Sequence, residues 1–310
     1  KNIRNLLFIT GIFSQLFSNT KVMLKSLFAK LRTLDWLLIM PVIFLVCLSL
    51  AELYSIGLGQ AAGDLSYFKK QLIFAIIGLF LLFFLAWQDY YFLYSYSNII
   101  YVFGLVVLIA VLIFGGTING TKGWFSLFGF GIQPVELVKY ILVVFLSRYL
   151  AGASTRTNPL KNLLSTGLAT ALLAGLVMLQ PDFGSALLLV FIWLFALFIS
   201  GLPKRFFMVL LFIIVIGASL AWQFFLVDYQ KQRITAFLNP SSQLSSNYNI
   251  NQAIIAVGAG GLFGRGLGFG SQSQLKFLPE AKTDFIFAVI AEELGLVGVL
   301  LTISLFALFF

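Results

Sequence analysis

Few side chains in this sequence can do acid–base chemistry, and their types narrow what that chemistry is. There are 11 Asp and Glu residues and no His in 310 positions. Without His there is no Ser-His-Asp triad, no Cys-His pair and no imidazole metal site. General acid or base work near neutral pH then falls to carboxylates, Lys or Tyr. Ionisable groups inside long apolar runs are costly and are functional candidates by default. Glu136, Lys139, Glu292 and Glu293 meet that test, with Asp182 and Asp284 at the edges of such runs. Gln133-Pro134-Val135-Glu136 opens one run, and Lys139 shares a helix face with Glu136; the two form either a structural ion pair or the polar floor of a site. Asp182, in Gln180-Pro181-Asp182-Phe183-Gly184, reads first as a helix cap. Lys276, Glu280, Lys282 and Asp284 cluster before the last run. Asp284 stands where a helix dipole favours a carboxylate, as a cap or as a base. Glu292, eight residues on, falls within about 80° of the same face, and Glu293 falls on the other side.

The elements that must position these groups are membrane spans. Hydrophobic residues make up 60% of the chain and charged residues 10%, against about 25% charged in soluble domains. Runs long enough to cross a bilayer lie at about 35–57, 69–87, 98–115, 133–151, 160–180, 184–201, 204–227 and 285–310. Each must be helical, because lipid offers no partner to a free backbone group. The expected fold is all-α and polytopic, with eight spans. A basic amphipathic segment, 1–34, precedes them on the cytosolic membrane surface. The bias of Lys and Arg places the N-terminus in the cytoplasm. Residues 58–68, 116–132, the turn at 181–183 and a large loop at 228–283 then face outward, within a membrane domain of 35–310. Seven of the 13 residues from Gly258 to Gly270 are glycine, without either nucleotide-binding spacing; a hinge or a close-packed loop is expected there. The net charge of +9 sits between apolar runs and suits anionic lipid rather than nucleic acid. Cys47, alone, reads as a small buried hydrophobe.

Several segments together carry a resemblance. Gly258-Ala-Gly-Gly-Leu-Phe-Gly-Arg-Gly-Leu-Gly is followed by Phe277-Leu-Pro-Glu and Thr283-Asp-Phe-Ile-Phe-Ala-Val-Ile-Ala-Glu-Glu-Leu-Gly. Upstream stand Trp124, Gln133-Pro-Val-Glu136 with Lys139, Gln180-Pro-Asp-Phe-Gly, Tyr229-Gln-Lys-Gln-Arg233-Ile and Phe237-Leu-Asn-Pro. In this order, over about residues 35 to 310, they resemble the SEDS family of RodA, FtsW and SpoVE. Ser273-Gln-Leu-Lys-Phe-Leu-Pro-Glu reads more like RodA than FtsW. Two positions depart from the family pattern: Gly123 stands where Arg often precedes Trp, and Val135 replaces the usual Ser.

The resemblance implies a peptidoglycan glycosyltransferase of the bacterial plasma membrane, polymerising lipid II on the extracytoplasmic face for wall elongation and cell shape. The GlcNAc 4-hydroxyl of one chain attacks the anomeric carbon of MurNAc in another, undecaprenyl pyrophosphate leaves, and the link inverts. The family's essential Asp falls on Asp284, the implied general base. Trp124, Glu136, Lys139, Arg233, Lys276 and Glu280 match positions implied to line the substrate site, with Gln133, Asp182 and Glu292 as structural or auxiliary residues. Implied partners are a class B penicillin-binding protein and membrane proteins of the rod complex or divisome. No cofactor is required by the resemblance, though outer carboxylates could hold Mg²⁺ with retained water. The family usually has ten spans, and this chain ends in Leu-Phe-Ala-Leu-Phe-Phe without a polar tail, so a C-terminal truncation is expected. A lipid II flippase, or a non-catalytic scaffold for a penicillin-binding protein, are the alternatives from other classes; intramembrane acids and Gly-broken helices are also transporter features.

Overall fold

Among the described residues, eight long helices stand where the eight spans are expected. The computed structural model describes residues 34–59, 64–118, 121–127, 130–152, 159–224 and 247–310, with 231 and 235. The expected basic segment 1–34, save its last residue, and most of the first half of the loop at 228–283 lie outside the described residues. The long helices are α1 (Trp36–Gly59), α2 (Ser66–Trp87), α3 (Tyr90–Phe114), α4 (Pro134–Gly152), α5 (Pro159–Met178), α6 (Phe183–Ile199), α7 (Lys204–Phe224) and, after two shorter helices, α10 (Ile286–Phe309). Six of them are long and apolar enough to cross a membrane. Of the other two, α6 has 17 residues, and α4 carries Glu136, Lys139 and Arg148. The chain is a multi-pass, mainly helical membrane protein.

The structure revises one expectation and adds to another. Helix α3 starts eight residues earlier than the apolar run at 98 suggests. Asp89 accepts a hydrogen bond from the Tyr91 N–H, and this cap nucleates the first two turns, rich in Tyr and Ser, that hydropathy alone passes over. The segment 116–132, read from the sequence only as an outward-facing region, contains a three-stranded antiparallel sheet, β1 (Gly116–Ile118), β2 (Thr121–Leu127) and β3 (Phe130–Ile132), in the order β1-β2-β3. The second half of the 228–283 loop also has structure of its own, in α8 (Asn247–Gly260) and the one-turn α9 (Ser271–Gln274).

The chain divides into two compact units, 1–87 with 233–310, and 88–232. In the second unit α4 supplies Val138, Leu142, Leu146 and Leu150 at four-residue spacing, all buried, which makes one continuous stripe. Leu108, Leu173, Val177 and Leu189 of α3, α5 and α6 close over it. Polar side chains tie these helices where lipid would leave them unpaired. Tyr101 Oη donates to the Ala169 carbonyl at 2.7 Å, and Trp193 Nε1 donates to Thr166 Oγ1 at 2.9 Å. Arg148 donates to Ser97 Oγ at 3.0 Å and lies over the Tyr94 ring.

In the first unit, α10 packs on α1 and α8 through Ile56, Ala256, Ala288 and Val289, joined by Leu278 and Ala281 of the segment before α10. Half of that contact is alanine, which lets helix backbones approach closely. Helix α10 is broken at Gly295, whose φ of 67° and ψ of −159° are not helical. The glycine-rich loop fills the break. Arg265 N–H and Gly266 N–H donate to the carbonyls of Glu292 and Glu293, and the N–H groups of Leu296 and Val297 donate to those of Gly261 and Leu262. Backbone groups freed by the break thus find partners, as a membrane interior demands. A side chain at Gly264 would run into the Glu293 carbonyl, and Gly264 itself has φ +78°. The close-packed loop expected from the glycine count is therefore a splint for α10.

Candidate functional site

The expected site residues fall in both units, and each set is built by its own elements. In the unit 88–232, Trp124 sits on β2 opposite Gly116 of β1. Pro134 opens α4 where its missing N–H leaves no gap, and one turn on the Lys139 ammonium lies 2.8 Å from Glu136 Oε1. That carboxylate is more than half exposed, so the pair adds little to stability and remains open to a ligand. Gln133 Nε2 donates to Asp182 Oδ2 at 3.1 Å, and Asp182 Oδ1 accepts from the Ser185 N–H at 3.0 Å. Asp182 is thus the cap of α6 and the acceptor for Gln133, which ties the entrance of α4 to that of α6.

In the other unit, Lys276, Glu280 and Lys282 line one polar cavity of about 420 Å³ with Ser273 and Tyr67. Lys276 and Glu280 have φ of 60° and 53°, a left-handed backbone that L-residues rarely adopt and that often marks a functional turn. Glu280 is held there because its carbonyl accepts from the N–H groups of Thr283 and Phe285, and its carboxylate from Thr283 Oγ1 at 3.0 Å. The Lys282 ammonium lies 3.6 Å from Asp64 and 4.7 Å from the centre of the Tyr67 ring. Ser66, through its hydroxyl and its N–H, and then Lys282 hold the exposed Asp64 carboxyl below the usual carboxylate range.

Asp284 does not join that cavity. It lines a separate, mostly apolar one of about 410 Å³ with Ile250, Ala253, Ile254 and Val257 of α8 and Phe285, Phe287 and Ala288. The residue that caps α10 is Phe285, without any side-chain bond, so the capping role open to Asp284 in the sequence is not the one it fills. Its side chain is exposed.

Glu292 and Glu293 are both fully buried. Glu292 accepts from the N–H groups of Gln272 and Ser273 at 2.8 and 3.1 Å, which completes the uncapped start of α9. Glu293 accepts from Ser55 Oγ at 2.6 Å, the Gly268 N–H at 3.0 Å and Gln274 Nε2 at 3.0 Å. Glu52 on α1, passed over in the sequence, is also fully buried; a lone acid inside an apolar run was the signal for it. Arg233 lies outside the described residues. No group of three or more Asp, Glu or Cys side chains is placed to hold a metal ion among the described residues.

The comparisons with known proteins meet this geometry. The model of the FtsW, RodA and SpoVE family of cell cycle proteins matches residues 29–310. The chain belongs to that family. Peptidoglycan glycosyltransferase MrdB of Escherichia coli is 35% identical over 273 residues, 86% of this chain and 73% of that protein. Stage V sporulation protein E of Bacillus subtilis is 36% identical over 284 residues, 88% of this chain and 76% of that one. A probable peptidoglycan glycosyltransferase FtsW of Coxiella burnetii is 39% identical over 246 residues, 78% of this chain. The chain spans 65% of the length of that FtsW. Among solved structures, the rod shape determining protein RodA of Thermus thermophilus superposes with a TM-score of 0.60 at 29% identity, over 89% of this chain and 73% of that one. A chain from a peptidoglycan synthase complex that coordinates polymerization and crosslinking superposes with a TM-score of 0.69 at 29% identity, over 89% of this chain and 76% of that one.

Proposed function

We propose that this membrane protein is a peptidoglycan glycosyltransferase that polymerises lipid II at the extracytoplasmic face of the bacterial inner membrane, in the service of wall elongation. The observation that carries the reading is Asp284: an exposed carboxylate beside an apolar cavity, at the mouth of a helix it does not cap. The acceptor GlcNAc gives its 4-hydroxyl proton to Asp284 as that oxygen bonds to the anomeric carbon of the donor MurNAc. The bond from that carbon to the pyrophosphate breaks, and undecaprenyl pyrophosphate carries away the electron pair. Lys276 and Lys282, in the neighbouring cavity, offer positive charge to the departing diphosphate, the kind of electrostatic support on which enzymes rely most. Glu136, Lys139, Trp124 and Arg233 are proposed to hold the sugar headgroups, while Gln133, Asp182 and Glu292 hold backbone in place. Crosslinking the strands is a separate reaction, for which a class B penicillin-binding protein is the proposed partner within a rod complex or divisome.

Purified protein given lipid II in detergent tests the reading. Polymer should form, and Asp284→Asn should lower its rate by at least about 100-fold, as expected for loss of a general base, with the melting temperature unchanged. Transbilayer movement of lipid II without polymer would replace the enzyme with a flippase, and neither activity would leave a scaffold. A divalent cation enters this proposal as a companion of the diphosphate rather than as a resident of the protein. Addition of EDTA should then slow polymerisation without shifting the melting temperature of the free chain; a fall in melting temperature would mean a resident ion.

A further inference from the structure

A second arrangement, which does not rest on that reading, lies where α1 meets α10. The side chains of Glu52 and Glu293 face each other there, both fully buried. Glu293 is supported: Ser55 Oγ and the Gly268 N–H reach one oxygen, and Gln274 Nε2 and, more distantly, Ser273 Oγ reach the other. The Ser273 hydroxyl has a nearer acceptor in the Gly270 carbonyl at 3.2 Å, so three firm donors leave Glu293 room to accept one more hydrogen bond. Glu52 has nothing of the kind, since neither of its oxygens has a hydrogen-bond partner.

Among the described residues, the surrounding elements supply no positive charge to the pair. Helices α8 and α9 hold no Lys, Arg, Asp or Glu. Lys69 and Lys70 of α2 are exposed. Arg265 is engaged with the Ala259 carbonyl and Ser271 Oγ, and Lys282 with Asp64 and Tyr67. Lys276 lines the polar cavity. Glu292, the adjacent acid on α10, faces the N–H groups of Gln272 and Ser273. A second negative charge, bare on Glu52 beside that of Glu293, would cost a large share of a fold's whole stability.

We propose that Glu52 and Glu293 form a binding site for one small cation, taken from water as a proton or as a metal ion, which joins α1 to α10. With both Glu52 oxygens unpartnered and room for one more hydrogen bond on Glu293, too few free oxygens remain for a metal ion, and a proton shared by the pair fits best. An ion bound by the folded state alone raises its stability, and this gives the test. The full chain in detergent is melted from about pH 5 to about pH 9 in choline chloride, then in sodium or magnesium chloride at equal ionic strength. The wild type should lose melting temperature as pH rises. Glu52→Gln, whose amide donates to Glu293 at every pH, should be flat and should match or exceed the wild type at the alkaline end. Glu52→Leu, which removes the acid without adding a donor, should be flat as well and covers the case in which the Gln variant folds poorly. Recovery of the alkaline wild type by sodium or magnesium, but not choline, assigns a metal ion; no recovery assigns the proton. A wild type insensitive to both pH and salt, or variants that keep its pH dependence, would overturn the site.

Discussion

Asp284 and Asp182 show how differently two aspartates at helix entrances can be used. Both stand at the start of an apolar run, and both are natural caps. The structure spends Asp182 on capping α6 and binding Gln133, while Asp284 has Phe285 between it and α10. A one-residue offset decides the matter, and no propensity scale resolves a helix start that finely. The candidate site was otherwise readable from residue types, since an acid in an apolar chain is rarely idle. Glu52 escaped because a single acid inside a strong apolar run looks like an interruption of a span. Only the fold reveals that Glu293, 241 positions away, is its neighbour. Asp64 was equally silent in sequence and gives a residue-scale prediction. Its lowered titration means that whatever it adds to the fold is complete above the ordinary aspartate value of about 3.9. That contribution is lost only as pH falls through the still lower folded value. The melting-temperature difference between wild type and Asp64→Asn should therefore be the same at about pH 5 and about pH 8. A difference that shrinks toward pH 5 would contradict the account.

At the scale of elements, the helices were legible because a bilayer imposes length and composition on each of them. The three-stranded sheet was not. Its strands of three, seven and three residues are rich in Gly, Thr and Ser and lack the alternation that marks a half-buried strand. The glycine-rich segment gave its composition away but not its task, which needs the break at Gly295 opposite it. That pairing makes a prediction about the loop. Gly264→Ala places a methyl group against the Glu293 carbonyl at a left-handed φ, combining strain and overlap. It should destabilise the chain by roughly 2–4 kcal/mol, in the range of severe single substitutions. Gly258→Ala, whose added methyl meets open space in a helix, is the control and should be near neutral. Chemical or thermal melting of both variants distinguishes a splint from a flexible tether, since a tether would tolerate either change.

For the whole molecule, the apolar surfaces of α2, α3 and α7 are those of a chain that lives in lipid. Composition alone showed that much, and the alternation of basic residues added an orientation. Cysteine labelling tests it. In a Cys47→Ser background, Lys122→Cys on β2 should react with a membrane-impermeant maleimide in intact spheroplasts, and Lys161→Cys on α5 only after lysis. The reverse pattern would turn the protein over and put Asp284 on the wrong side for lipid II polymerisation.

The joint in α10 has a mechanical consequence. From Ile286 to Gly295 the helix is a lever about 13 Å long, with Asp284 just beyond its tip and the loop's four backbone bonds clamping its pivot. Tilting that lever by only about 4° would swing the tip by about 1 Å, a displacement large enough to slow a positioned reaction about 100-fold. Stiffness at a glycine far from any sugar would then govern how fast the strand grows.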